Sequence, residues 1–219
     1  MGPGALCSRT GASSWSWRTE GRWRNRLWVE RLVAPFGHQS AFLVADPDGQ
    51  TDFISAYSTK HDQSFERGAM EFKNTVDTML LGRRTYEMFS SYWPEASGED
   101  AEFAKKLNSL KKVVVSSTLK DAPWGKWEPA EIIAGDVAGE VRRLKQSAGK
   151  DMVIWGSISL ASALLKEGLI DEIQLRVVPA AIGRGRQLFE GEMELQHLDL
   201  LATESHDAGL VLPRYRPEI

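Results

Sequence analysis

Cysteine is all but missing from this chain. Cys7 is the only one in 219 residues, so no intrachain disulfide can form and no cysteine-based metal site can be built. That usage fits a reducing, cytosolic setting. Histidine is scarce as well, and His38, His61, His197 and His206 show none of the spacings that hold zinc, so no metal site is expected. No apolar run approaches the roughly 20 residues needed to cross a bilayer, so no membrane span is expected. Neither G-x-G-x-x-G nor G-x-x-x-x-G-K-[ST] occurs, which removes the two usual nucleotide-binding fingerprints. No internal repeat is visible. A basic surplus is lacking too. The formal net charge is −3, and because residues 1–40 carry six Arg and two Glu, the rest of the chain holds −7. An acidic body argues against nucleic acid as the main partner. An anionic small molecule needs only a few local groups.

What is present is a chain long enough, and at 42% hydrophobic apolar enough, for one domain with a substantial core. Residues 1–30 do not read as part of it. They hold Trp15, Trp17, Trp23 and Trp28 among Arg, Ser and Gly with neither helical nor alternating spacing, and they lack the apolar centre of a secretory signal. This segment is expected to be a disordered or non-native extension, with one domain over residues 31–219. Arg31–Ala34 offers a short first strand that Pro35-Phe36-Gly37 interrupts. Asp46-Pro47-Asp48-Gly49 is a turn by local rules.

Beyond it, strands and helices alternate. His61–Asp77 reads as a helix with Phe65, Ala69, Phe72 and Val76 on one face, and Thr78–Leu81 as a buried strand. A helix then carries Tyr86 and Phe89 toward Trp93-Pro94, and Glu99–Leu110 is a second helix. Lys111–Thr118 is a valine-rich strand, Trp127–Ile133 a weaker one, and Val137–Ser147 a helix. Asp151–Ile170 joins a buried strand (Met152–Trp155) through Gly156-Ser157 to a helix that Gly168 closes. Glu172–Ile182, Leu195–Ser205 and Leu210–Arg216 are strand-like, the last two joined by a hairpin turn at Asp207–Gly209. The order predicts an α/β fold with a mainly parallel sheet flanked by helices and an antiparallel finish.

Three strand ends share one character. Thr78–Leu81 runs into Gly-Arg-Arg-Thr, Lys111–Val115 into Ser-Ser-Thr, and Met152–Trp155 into Gly-Ser. In a mainly parallel sheet these ends line one edge, where open α/β folds bind ligands. Arginine, hydroxyls and helix N-termini there form a cradle for an anionic, phosphate-bearing ligand. Each ending alone is an ordinary cap or turn, and Arg83 or Arg84 alone an ordinary surface charge. Their convergence favours a nucleotide-type ligand.

LLGRRTYEMFSSYWP, KKVVVSSTL, DMVIWGSISLASALL, GLIDEIQLRVVPAAIGRGRQLF and the terminal GLVLPRYRP resemble, in order, the dihydrofolate reductase-like proteins related to the C-terminal reductase domain of the bifunctional riboflavin-pathway deaminase-reductase. The resemblance covers about Ala41–Ile219. It implies a dihydrofolate reductase-like mixed sheet and an NADPH-dependent reductase, often dimeric. Gly82, Arg83 and Thr85 match the family's G-R-x-T against the cofactor phosphates, and Ser116 and Ser117 the residues near the adenosine 2′-phosphate. Gly156 and Ser157, with the turn to Leu160, match the glycine turn under the pyrophosphate. Two glycines are common in that turn, so here either Trp155 replaces the first or Ser157 the second. Glu190 is the candidate substrate-facing carboxylate. Asp171-Glu172 is expected to be structural, and Gly183 and Gly185 to form a bend.

One family feature is missing. The first strand normally ends in S-x-D-G, which starts the loop over the nicotinamide, and here the region reads Gly37-His38-Gln39-Ser40-Ala41-Phe42. The reading implied is hydride transfer to a small heterocycle in the manner of 5-amino-6-(5-phosphoribosylamino)uracil reductase. Dihydrofolate reduction is one alternative, and a nucleotide-binding protein without turnover is another. A homodimer is expected because Ile173–Ile182 is too apolar for a bare sheet edge. The text before about Ala41 is Arg-, Trp- and Gly-rich, as a GC-rich gene reads in a wrong frame. A frame-shifted start would leave a gap in the sheet where the first strand belongs.

Overall fold

A computed structural model describes residues 27–35, 42–45, 75–177, 179, 186–189, 194–206 and 209–218. Ten strands form one sheet. Its main path runs β5 (Glu131–Ile133), β4 (Lys111–Val115), β3 (Val76–Gly82), β6 (Asp151–Trp155), β1 (Leu27–Pro35), β7 (Glu172–Val177), β10 (Val211–Pro217) and β9 (Leu198–Ser205). The first six are parallel, and the last two turn antiparallel as a hairpin. Two short strands, β2 (Phe42–Ala45) and β8 (Arg186–Gln187), pair with each other, and β2 also with β1. The fold class is the expected one: a mainly parallel sheet flanked by helices, with an antiparallel C-terminal hairpin.

Strand side chains alternate between two packed faces. Leu80, Val113 and Ile154 point into a core closed by α3 (Val137–Gln146) and α4 (Ile158–Lys166). Their neighbours Met79, Leu81, Val114 and Val153 point into a second core with α1 (Arg83–Tyr92), α2 (Ala101–Ser109) and the Trp124 loop. Burial on both sides explains why β3, β4 and β6 read as unbroken apolar runs. Gly168 closes α4 as expected, its N–H returning to Leu165 O and that of Leu169 to Leu164 O. Among the described residues no helix is long and apolar enough to cross a membrane.

Several expectations need correction. The first strand begins at Leu27, not Arg31, so the expected boundary after Glu30 falls inside it. There is no gap in the sheet either. Leu27–Glu30 pair with Met152–Trp155 on one side, and Trp28–Val33 with Glu172–Val177 on the other. Sheet pairing uses backbone groups that do not depend on side-chain pattern, so this strand forms over Leu27–Pro35, and Pro35, expected to interrupt it, is paired with Phe42. Residues 1–26 of the expected extension over 1–30 and most of the expected helix over 61–77 lie outside the described residues. The end of that helix is strand instead, for Val76 opens β3 and is buried there. Trp127–Ile133 is a strand only over its last three residues, Trp127 being held to Trp124 by an isolated bridge. Lastly, β7 is flanked by β1 and β10, so its apolar character no longer argues for a dimer.

Candidate functional site

In the parallel part of the sheet, β3, β4 and β6 all end at one edge. Gly82 is paired with Val115, so Arg83 and Ser116 leave neighbouring strands side by side. On the other flank of β3, Leu80 is paired with Ile154, which brings the β6–α4 turn beside the β3–α1 junction.

These two junctions are locked together. Ser157 Oγ accepts the Gly82 N–H at 2.7 Å, and the Ser157 N–H is donated to Thr85 Oγ1 at 3.1 Å. The Ser157 hydroxyl lies 3.0 Å from Thr85 Oγ1 and 3.2 Å from Trp155 O, either of which can take its single proton. Four expected site residues, Gly82, Thr85, Gly156 and Ser157, thus form one knot. Gly156 (φ 60°) and Ser157 (φ 56°) both adopt left-handed backbone, whereas Trp155 is the last residue of a strand. The two left-handed residues of the turn are therefore Gly156 and Ser157. Gly156 itself is required for close approach, since a Cβ there would lie 2.9 Å from Thr85 Cγ2.

The electrostatics of the edge are unlike those of an ordinary helix start. Helix α3 is conventional, with Asp136 Oδ1 accepting the Gly139 N–H at 2.8 Å and Glu140 in its first turn. By contrast, α1 and α4 have neither a side-chain cap nor an acid in the first turn. Arg83 and Arg84 occupy the first turn of α1, the wrong sign for its dipole. Both are exposed. Arg83 is paired with Glu87 at 3.1 Å, and Arg84 makes no ion pair with a described residue. Adjacent helix starts with unpaired N–H groups and misplaced arginines are a seat for an anion.

Other expected residues contribute differently from the simplest reading. Ser116 is buried, and its Oγ accepts the N–H groups of Thr118 and Leu119 at 3.2 and 3.1 Å, so it caps its own turn. Ser117 and Thr118 are the exposed hydroxyls of that strand end. Leu160 is a core side chain, leaving only its backbone N–H for the site. Glu190 lies outside the described residues, as do Gly183 and Gly185. Asp171 and Glu172 are structural, the first 2.5 Å from buried Lys145 Nζ and the second paired with Arg214 across the sheet. Two features escaped the sequence. The Thr85–Ser157 contact joins residues 72 positions apart. Buried Lys112 has its ammonium pushed below the ordinary lysine range by burial, partly offset by Glu128.

A mainly parallel α/β sheet with an anion seat at its carboxyl edge defines the class: an open α/β fold of the kind that takes ligands at its strand ends. Comparison with known proteins narrows it. Residues 47–212 match the family model described as RibD C-terminal domain. The uncharacterized protein YyaP of Bacillus subtilis (strain 168) is 30% identical over 148 residues, which are 67% of this chain and 77% of that protein. A putative riboflavin biosynthesis protein from Shewanella sp. PV-4 superposes with TM-score 0.70 at 20% identity, covering 89% of this chain and 99% of that one. A diaminohydroxyphosphoribosylaminopyrimidine deaminase/5-amino-6-(5-phosphoribosylamino)uracil reductase from Thermotoga maritima gives TM-score 0.59 at 15% identity, covering 89% of this chain and 57% of that chain. The two structural likenesses speak for the fold. The chain belongs to the RibD C-terminal domain family.

Proposed function

We propose that this chain is an NADPH-dependent reductase that transfers hydride to a small heterocycle, of the 5-amino-6-(5-phosphoribosylamino)uracil reductase type. The observation that carries the reading is the pair of interlocked, uncapped helix starts with Arg83 and Arg84 in the first turn. The donor set fits a dinucleotide's phosphates. Backbone N–H groups of α1 and α4 suit the shared diphosphate, and Arg83, Arg84 and the exposed Ser117 suit an extra phosphate on the adenosine side. When bound, the nicotinamide supplies the hydride. The chain's own residues hold the phosphates and orient the dinucleotide along the edge. Family membership and the reductase-like fold support the same reading.

Titration with NADPH, followed through the tryptophan emission of the chain, tests binding, Trp155 lying beside the seat. Loss of NADPH absorbance with candidate pyrimidine substrates then tests turnover. Binding and oxidation support the reading. Saturable binding without oxidation by any pyrimidine or by dihydrofolate turns it toward a nucleotide-binding protein without turnover. We also propose a cytosolic homodimer, now through β9, which ends the sheet path and exposes Leu200.

A further inference from the structure

Ser157 is the one non-glycine residue with positive φ among those described. A left-handed backbone strains an L side chain, and glycine would adopt it freely. The serine brings something glycine lacks. Its Oγ accepts the Gly82 N–H at 2.7 Å, a short bond for an amide donor to a neutral oxygen. Gly82 is the last residue of β3 and stands at the start of α1. Its N–H therefore belongs to the junction whose free donors make the anion seat, yet it is already taken. The Ser157 N–H is likewise taken, by Thr85 Oγ1.

We propose that Ser157 limits the affinity of this site for the diphosphate of a dinucleotide, by holding the Gly82 N–H in a hydrogen bond of its own. The inference rests on the dinucleotide reading above. With Gly82 engaged, a diphosphate meets the N–H groups at the starts of α1 and α4 but must displace the serine hydroxyl to reach this further donor. An N–H bond to a phosphate oxygen is charge-assisted and stronger than one to a hydroxyl, so removing Oγ releases the donor to the ligand. The residue thus sets how tightly the cofactor is held, and with it how readily the spent cofactor leaves. A purely structural clamp between the two junctions makes the opposite forecast, since its loss would loosen the seat.

The dissociation constants of NADPH and NADH are measured for the parent chain, Ser157→Gly and Ser157→Ala. Ser157→Gly is expected to tighten both dinucleotides about tenfold, the scale of one charge-assisted hydrogen bond. The factor should be alike for the two, because they share the diphosphate. Ser157→Ala also vacates the donor while keeping the left-handed backbone strained, so it should tighten both dinucleotides as well. If Ser157→Gly fails to fold, Ser157→Ala decides by itself. Unchanged or weaker binding by the folded variants, with a parent that binds NADPH, overturns this inference and leaves the cofactor reading standing. Failure of the parent and both variants to bind either dinucleotide overturns both.

Discussion

The Nζ of Lys112 lies 5.5 Å from the ring centroid of Trp124, and both side chains are almost wholly buried. Lys112 donates to Asn108 O at 2.8 Å, and the same asparagine accepts the Trp124 indole N–H through Oδ1 at 2.6 Å. Its amide Nδ2 goes to Trp93 O at 2.8 Å. One asparagine thus ties α2 to the loops on either side of it.

The lysine in that network makes stability rise with alkaline pH. Burial depresses its folded-state value below the ordinary 10.5, so the unfolded chain holds the proton more tightly. The penalty for burying the charge is fully present below the folded value. It disappears as pH rises from there to about 10.5. Denaturant unfolding from pH 7 upward should show this gain in the parent and a flatter profile in Lys112→Met. Parallel profiles would refute the assignment.

Tyr86 acts in the opposite sense. Its phenol donates to Pro123 O at 2.7 Å, and burial raises its value above 10.0. The folded state then keeps the proton longer than the unfolded one, so the associated stability is intact below pH 10 and is lost as pH climbs through the raised value. Tyr86→Phe should cost about 1 kcal/mol at neutral pH for the lost hydrogen bond and abolish the alkaline decline. A decline that survives the substitution belongs to another group.

Arg83→Ala should weaken NADPH by about tenfold and NADH less, if the guanidinium meets the extra phosphate. Folding stability should move by no more than about 0.5 kcal/mol, because the Arg83–Glu87 pair is half exposed on both sides. Equal weakening of the two dinucleotides would assign Arg83 to the shared diphosphate.

Leu200 is 60% exposed on the last strand of the sheet path. Leu200→Lys should shift sedimentation at micromolar concentration from the mass of two chains to that of one, since a charge there blocks edge pairing. A parent that already sediments as a single chain removes the dimer proposal.

Much of this architecture was legible because its signals are local. Short runs such as Met152–Trp155, punctuated by glycine, give away a buried strand and the turn behind it. Coincidence misled at Val76, whose spacing from Phe72 is helical although it starts a strand. The oxygen of Ser116, a residue expected beside a phosphate, also closes its own turn, a pairing local sequence leaves open. Nothing in either segment announces that Thr85 and Ser157 meet. Only the pairing of β3 with β6 brings them together.

The placement of β1 bears on how the chain reaches this state. Leu27 finds its partner Met152 only after 125 further residues have been made, and the other side of the strand waits for β7. During synthesis β1 therefore emerges with only its β2 partner close behind it, and its two parallel neighbours arrive after more than half of the chain has been made. Such long-range parallel pairing closes slowly and leaves sticky edges open meanwhile. The protein's yield in a cell is thus coupled to whatever shields β1 until β6 and β7 have closed on either side of it.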